Sequence, residues 1–396
     1  MQNFVHGIPT TFYHGKDTHK QLGEIVKGYG CDNIMLVYDP FLENGKWLEE
    51  VRESLKVSGV NSVELTGVQP NPVLSLVHKG VDIAKENKVQ MVVGFGGGST
   101  IDTAKAIAIG AVYDGDVWDY FCNLQGVHPV FNALPIGAII TIAATGSESS
   151  AGTIITNEDG WLKWGCGGPA VFPKFAIENP EITCSLPAWQ TACGIADMFS
   201  HVAERYFTNT PNTYIIDALD EAAFRTLHNI GPKLVKDLKN YDLRSEIMWT
   251  GTIAHNDTLG VGREQDWASH DFGHELSAIY GITHGSAVTM SMIAWMKYVY
   301  KHDVKRFKNF AIYGMEVNPE GKDDETIALE GIAAFEAWIK ELGLPTRLSE
   351  YPNCTIDDSR FEEMANKALM NRPGSIGFFV KLNKEDIINV YKLALK

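Results

Sequence analysis

Three of the chain's 12 histidines are close together in the segment DWASHDFGHELSAIYGITHG: His270, His274 and His284. The apolar spacing of this segment predicts a helix followed by a loop. His270 and His274 are four residues apart, so a helix would place both imidazoles on one face. Imidazole nitrogens bind metals and carry protons near neutral pH. The segment is therefore a candidate for metal binding or proton transfer.

A second cluster lies in ACGIADMFSHVAERY, where Asp197 and His201 are also four residues apart. Their neighbours are apolar, which predicts a largely buried helix in which a carboxylate needs a partner. A divalent metal could be that partner, with His201 and two of the three later histidines completing the site. Oxygen and nitrogen ligands without sulfur suit Zn²⁺ or Fe²⁺, and Co²⁺ in vitro. Spacing alone does not choose between the histidines, and the pair could also be a coincidence of one helix face.

A glycine turn follows an apolar run in VVGFGGGSTIDTAKAIA, which predicts a strand, a turn and a helix. Gly96, Gly97 and Gly98 would leave room for a pyrophosphate at the helix start, where the backbone amides favour an anion. Ser99 could cap that helix. The alternative is a tight turn that needs glycine for its geometry alone.

An acidic residue, Asp39, ends the earlier strand pattern NIMLVYD. A carboxylate at this kind of strand end accepts hydrogen bonds from a ribose hydroxyl and repels a 2′-phosphate. If a dinucleotide binds, Asp39 favours NAD(H), with NADP(H) as the alternative. Asp39-Pro40 could also simply begin a turn.

Alternating strand and helix patterns in the first part of the chain predict an α/β domain with a parallel sheet over residues 1–185. After the sequence CSLP the pattern changes to long segments of helical spacing. We therefore expect an all-helical second domain over residues 186–396.

Composition excludes several classes of function. The formal net charge of −15 argues against a nucleic-acid partner and against an anionic membrane surface. The six cysteines are spread along the chain without a CxxC motif, as is typical of reduced thiols in a cytoplasmic protein. We see neither a signal peptide nor an apolar run long enough to cross a membrane.

Four segments together resemble the iron-containing (group III) alcohol dehydrogenases, and the resemblance extends over nearly the full chain. They are GFGGGSTIDTAKAIA, TIAATGSESS, LPAWQTACGIADMFSHVAERY and DWASHDFGHELSAIYGITHG. The resemblance implies a Rossmann-like parallel-sheet domain and a C-terminal all-helical metal-binding domain, the architecture of dehydroquinate synthase. The nearest branch contains NAD(P)H-dependent butanol dehydrogenases and aldehyde reductases.

The resemblance also implies roles for individual residues. The family's metal ligands fall on Asp197, His201, His270 and His284, and its catalytic histidine beside the metal falls on His274. For His274 we consider two roles, a proton shuttle and packing against the nicotinamide ring. Further cofactor contacts beyond the glycine turn and Asp39 fall on Asn71, Thr141, Thr145, Ser147 and Lys163.

The expected activity is a metal-dependent interconversion of primary alcohols and aldehydes with NAD(H) or NADP(H), in a homodimer. A glycerol or diol dehydrogenase is one alternative. A lyase of the dehydroquinate synthase type is another, although it would need several Lys and Arg near the metal, and the ligand-bearing segments have few. A nucleotide-binding protein with a structural metal is a third, although structural sites are usually rich in cysteine.

Overall fold

The chain divides into two compact units. In the computed structural model the described residues are 1–122, 128–352, 354–370, 372 and 374–396. One unit comprises Gly7–Ser185, and the other comprises Leu186–Lys396 together with Met1–His6. The first unit has a parallel sheet and the second is helical, which confirms the predicted fold class.

The first six residues pack with the helical unit, a feature that the sequence patterns do not reveal. The backbone N–H of Gln2 donates to the carbonyl oxygen of Gly262 at 2.8 Å. The terminal ammonium group of Met1 donates to the carbonyl oxygen of Pro211 at 2.7 Å. The α/β unit is therefore an insertion, in sequence, between two pieces of the helical unit.

The α/β unit is built on a six-stranded, all-parallel sheet with strand order β1-β8-β5-β4-β2-β3. An antiparallel hairpin, β6-β7, forms a separate two-stranded sheet. The strands are β1 (Thr11–His14), β2 (Asn33–Tyr38), β3 (Asn61–Leu65), β4 (Met91–Gly96), β5 (Ile136–Ile140), β6 (Gly152–Asn157), β7 (Leu162–Gly167) and β8 (Phe175–Glu178). Strands β4, β5 and β8 are buried throughout, as expected for a parallel sheet covered on both faces.

Helices connect the successive strands from β1 to β5, and one more helix follows β8. They are α1 (Leu22–Gly28), α2 (Lys46–Val57), α3 (Leu74–Glu86), α4 (Gly98–Gly110), α5 (Trp118–Phe121) and α6 (Pro180–Thr183). From β2 the chain moves outward to β3, then returns to the other side of β2 to form β4 and continues to β5. The strand order thus reverses between β2 and β4. Ligands of open α/β sheets bind at the carboxyl ends of the strands at this kind of reversal.

The helical unit contains nine α-helices in the part of the chain that the structure describes. They are α7 (Ala188–Tyr206), α8 (Tyr214–Lys236), α9 (Tyr241–His255), α10 (Ala268–Tyr280), α11 (His284–Val299), α12 (Val304–Asn309), α13 (Asp324–Glu341), α14 (Phe361–Leu369) and α15 (Lys384–Leu395). Helix α7 packs against α8, α9, α10 and α11. Its residues are buried from Thr191 to Tyr206, so polar side chains in that span need partners inside the protein.

A search of the described residues for helices of membrane-spanning length and hydropathy finds none.

Candidate active site

The first pair of predicted metal ligands lies on α7. Asp197 and His201 are one helical turn apart and both are buried, with side-chain exposures of 2% and 3%. The apolar neighbours Ile195, Met198 and Phe199 are completely buried. The packing of these apolar side chains therefore fixes the helix that carries the two polar ones.

The second pair comes from α10 and α11. His270 lies in the first turn of α10, and His284 is the first residue of α11. The sequence pattern placed His284 in a loop after the helix. That prediction is wrong, because the connection after α10 is short and ends at Thr283. Helices α10 and α11 pack side by side, which brings both imidazoles to α7.

Three imidazoles surround one carboxylate oxygen. Oδ1 of Asp197 lies 3.9 Å from Nε2 of His201, 3.8 Å from Nε2 of His270 and 3.7 Å from Nε2 of His284. These distances are too long for hydrogen bonds. Two ligand atoms each about 2.1 Å from a tetrahedral Zn²⁺ lie about 3.4 Å apart, and about 4 Å apart at wider angles.

The donor set therefore fits one divalent metal. The possible ligand atoms of Asp197, His201 and His270 all lie within 4.8 Å of one another, and Nε2 of His284 approaches the same oxygen. Burial lowers the pKa of His201 well below its ordinary value, with smaller contributions from His255 and His270. A neutral imidazole is the form that binds a metal.

A glycine permits the approach of α11 to α7. A Cβ atom at Gly285 would lie 2.1 Å from the carbonyl oxygen of Cys193 and 3.2 Å from Cβ of Asp197. Only glycine therefore fits next to His284 at this helix contact. The preceding residue, Thr283, is also held, since its N–H donates to the hydroxyl oxygen of Tyr351 at 3.1 Å.

His274 lies beside this cluster, next to His284. Its ring stacks on that of His284, with centroids 5.4 Å apart, and lies 6.3 Å from that of His270. The Nε2 atoms of His270 and His284 face Oδ1 of Asp197, and the ring of His274 packs against that of His284.

Glu204 is a site residue that the sequence reasoning missed. Its Oε1 accepts a hydrogen bond from the backbone N–H of His270 at 2.9 Å and lies 3.0 Å from Nδ1 of the same residue. Burial raises the pKa of Glu204 to about 8, although the N–H groups of His270 and Trp267 act in the opposite direction. A bound cation would counteract this rise in pKa. The spacing of Asp197, His201 and Glu204 along one face of α7 could have identified Glu204 from the sequence.

Two aromatic residues at the start of α10, Trp267 and Phe272, have different positions. The ring of Trp267 lies 5.1 Å from that of His270. Phe272, in contrast, packs against Tyr391. The ring centroid of His255 lies 4.3 Å from that of His201. His255 therefore packs against a proposed ligand.

The two nearby arginines are engaged with protein groups. Arg205 donates to the carbonyl oxygens of His201 at 2.9 Å and His255 at 3.1 Å. Arg263 donates to Asp217 and Asp220, each at 2.8 Å. Neither guanidinium group is therefore directed to an anionic substrate.

The glycine turn of the α/β unit lies at the strand reversal. Gly97 is the N-cap of α4, and Ser99 lies inside the first turn of that helix, so the predicted capping role of Ser99 is wrong. The chain approaches itself closely here: a Cβ at Gly97 would lie 2.7 Å from Ile142, and one at Gly98 would lie 2.3 Å from Oγ1 of Thr145. Glycine is required, and the first N–H groups of α4 are available for an anion.

Asp39 lies next to this turn, at the carboxyl end of β2. Its Oδ2 accepts hydrogen bonds from the N–H of Gly97 at 3.4 Å and from the hydroxyl of Thr100 at 3.3 Å. Burial raises the pKa of Asp39, and these two bonds act in the opposite direction. Both bonds are long, so the carboxylate can also accept a hydrogen bond from a ligand.

The segment that follows β5 lies against the same turn. The N–H of Thr141 donates to the carbonyl oxygen of Gly96 at 3.0 Å, and Thr145 contacts Gly98 as described above. The hydroxyl of Ser147 donates to Oδ1 of Asp102, in α4, at 2.6 Å. Three of the predicted cofactor residues are therefore brought to the start of α4.

The remaining two predicted cofactor residues contact each other. Nζ of Lys163, in β7, donates to Oδ1 of Asn71 at 2.9 Å. Asn71 has a left-handed backbone conformation with φ of 59°, and the next residue, Pro72, accepts a hydrogen bond from Thr156 of β6 at 2.8 Å. The hairpin thus fixes the loop that carries Asn71.

Comparisons with known proteins identify the family. Residues 9–180 match the family described as iron-containing alcohol dehydrogenase, and residues 191–395 match the C-terminal family of Fe-containing alcohol dehydrogenases. A probable NADH-dependent butanol dehydrogenase 1 of Bacillus subtilis is 42% identical over 396 residues, 100% of each chain. The NADPH-dependent aldehyde reductase YqhD of Escherichia coli is 35% identical over 353 residues, 89% of each chain.

A solved structure agrees with these matches. The crystal structure of NADH-dependent butanol dehydrogenase A from Thermotoga maritima superposes with a TM-score of 0.94 at 36% identity, covering 100% of this chain and 99% of that one. The fold, both family matches and the full-length relatives agree with the expectation from the four sequence motifs. The chain belongs to the iron-containing alcohol dehydrogenase family and is an oxidoreductase.

Proposed function

We propose that this chain is an NAD(H)-dependent alcohol dehydrogenase that interconverts short linear primary alcohols and aldehydes at a single divalent metal. The observation that carries the proposal is the convergence of three imidazole nitrogens on one carboxylate oxygen of Asp197. The butanol dehydrogenases among its relatives support the choice of substrate.

The proposed metal ligands are Asp197, His201, His270 and His284. When bound, Fe²⁺ or Zn²⁺ (with Co²⁺ as a substitute) supplies a Lewis acid for the substrate oxygen, and the nicotinamide supplies or accepts the hydride. The side chain of His284 is 23% exposed, whereas the other three are 8% exposed or less. The site is therefore open on the side of His284, where a substrate oxygen could enter.

His274 is the proposed proton carrier. Its ring stacks on His284, so it lies on the side where the ligand set is open. In this role an imidazole nitrogen of His274 gives a proton to the substrate oxygen during reduction and takes it back during oxidation. The alternative role is steric: His274 packs against the nicotinamide ring and holds its orientation.

The proposed dinucleotide site is the strand reversal of the α/β unit. The amides after Gly97 would bind the pyrophosphate, and Asp39 would accept a hydrogen bond from a ribose hydroxyl. Ser99, Thr141, Thr145 and Ser147 surround the same turn, and the Asn71–Lys163 pair is the proposed contact on the adenine side. Asp39 is the reason for choosing NAD(H) before NADP(H), since a carboxylate repels a 2′-phosphate.

The substrate is expected to be small and uncharged. Arg205 and Arg263 are engaged with carbonyl and carboxylate groups of the protein, so the described residues of the ligand-bearing helices offer no guanidinium group for a phosphate. This favours an aldehyde or alcohol over the phosphorylated substrate of a lyase.

We also propose a homodimer in the cytoplasm. Strand β1 is an edge of the six-stranded sheet and could pair with its equivalent in a second copy. None of the six cysteines, all of them described, forms a disulfide, which suits a reducing compartment. Light scattering after gel filtration measures the oligomeric state, and a monomer would contradict the dimer.

Absorbance of NADH in the presence of butanal tests the main proposal. We expect NADH oxidation after reconstitution with Fe²⁺ or Zn²⁺, loss of activity with a chelator, and weaker activity with NADPH. A panel of C2 to C8 aldehydes with NADH defines the preferred chain length, and glycerol with NAD⁺ tests the diol alternative. The variant His284→Ala should lose metal and activity, and His302→Ala, whose side chain contacts Asn209, is the matched control. Metal-loaded protein that oxidises NADH with none of these aldehydes would disprove the proposal.

A further inference from the structure

Glu204 lies on α7 one turn beyond His201, where α10 begins. Its side chain is 1% exposed, and its own backbone carbonyl accepts a hydrogen bond from the N–H of Asp266 at 2.8 Å. Glu204 therefore contacts the beginning of α10 through both its main chain and its side chain.

The N-terminus of α10 has an unusual cap. Its N-cap residue, Trp267, has a left-handed backbone with φ of 65° and makes no side-chain capping hydrogen bond. The first N–H groups of a helix need acceptors from outside the helix. Here the carboxylate of Asp266 accepts from Ala268 at 2.9 Å, and the carboxylate of Glu204 accepts from His270 at 2.9 Å.

The same Glu204 oxygen also lies 3.0 Å from Nδ1 of the His270 ring. When Nδ1 carries the proton and donates it to Glu204, the lone pair of this imidazole is on Nε2. Nε2 is the atom that lies 3.8 Å from Oδ1 of Asp197. One carboxylate oxygen thus fixes the backbone, the ring orientation and the tautomer of His270 together.

We propose that Glu204 is a positioning residue for the metal site: it holds His270 in the tautomer and orientation that ligation requires. This inference rests on the proposed function, because it assumes that His270 binds a metal. Carboxylates that accept a hydrogen bond from a ligating histidine typically change metal affinity by about 10-fold to 100-fold when they are replaced.

The experiment measures the affinity of purified apoprotein for Zn²⁺ by competition with a chromophoric chelator, so it does not depend on activity. In the variant Glu204→Gln the amide has the same shape but a weaker acceptor, and we expect at least threefold weaker binding. In Glu204→Met the acceptor is absent, and we expect a loss of about 10-fold to 100-fold. The absorption spectrum of the Co²⁺-loaded proteins reports whether the ligand geometry also changes.

The control is Asp220→Asn, which removes another buried carboxylate of the same unit, one that pairs with Arg263 and contacts no proposed ligand. It should lower the melting temperature of the apoprotein and leave Zn²⁺ affinity unchanged. If Glu204→Met does not fold, the Zn²⁺ affinity of Glu204→Gln tests the inference. Binding by a folded Glu204→Gln protein within twofold of wild type would overturn the inference. Failure of wild-type protein to bind Zn²⁺ or to reduce aldehydes would instead overturn the proposed function.

Discussion

Replacing Gly285 with alanine should disrupt the proposed metal site through a single methyl group. The added Cβ would lie 2.1 Å from the carbonyl oxygen of Cys193, whereas carbon–oxygen contacts between backbones are normally about 3.3 Å or longer. The start of α11 must therefore move about 1 Å away from α7. Because metal–ligand distances tolerate only about 0.2 Å, this movement withdraws His284 from the proposed site.

The expected loss of Zn²⁺ affinity follows from the number of ligands. Structural Zn²⁺ sites with four ligands bind with about 10–16 kcal/mol, or about 3 kcal/mol per ligand when divided equally. The loss of one ligand then weakens binding by about 100-fold. The overpacked contact itself should lower the free energy of unfolding of the apoprotein by about 1–3 kcal/mol.

Chelator competition gives the Zn²⁺ affinity, and urea denaturation gives the free energy of unfolding. The control is Gly251→Ala on α9, where the added Cβ would meet the flexible end of Met198, 2.9 Å from Cε. That side chain can adjust, so Zn²⁺ affinity should be unchanged. A Gly285→Ala protein that binds Zn²⁺ as tightly as wild type would refute the argument that this contact places His284.

Three further predictions concern other sites. Asp39→Ser should raise the ratio of kcat/KM with NADPH to that with NADH by about 10-fold, because it removes the charge that repels a 2′-phosphate; an unchanged ratio would contradict the role of Asp39. His274→Gln should lower kcat by about 10²-fold at unchanged metal content, and normal turnover across pH would exclude the proton carrier. Burial lowers the pKa of Lys105 to about 8 from 10.5, so the unfolded chain binds more protons than the folded chain between these values, and stability rises with pH there. Urea denaturation should show that the free energy of unfolding rises more with pH in wild type than in Lys105→Met over this range. Parallel pH profiles of the two proteins would contradict this prediction.

Local patterns predicted the helices that carry the proposed metal site. The four-residue spacing of Asp197 and His201 within apolar neighbours is sufficient to indicate a buried helix with a polar pair. The choice between His270, His274 and His284 was different, because it depends on where α10 ends and how α11 packs on it. The family resemblance had to supply that choice, and the stacking of His274 on His284 is visible only in three dimensions.

Two details were beyond the reach of local patterns for a physical reason. Ser99 has the residue type of a cap, but the helix begins at Gly98 and takes Gly97 as its N-cap, since the close contacts of the glycine turn decide where the backbone enters the helix. Glu204 has the spacing of a third polar residue on α7, yet its partner is the first turn of α10. Which helix terminus a buried side chain meets is a property of the tertiary packing.

The association of Met1–His6 with the helical unit affects how the protein can be divided for study. A recombinant fragment that begins at Leu186 would lack the segment whose Gln2 donates to Gly262, and a Cβ at Gly262 would lie 2.6 Å from Met1. That surface, just before the helix of His270, would be left uncovered. A two-piece experiment cut between Ser185 and Leu186 would therefore leave Met1–His6 on the α/β piece, detached in sequence from the helical unit with which it packs.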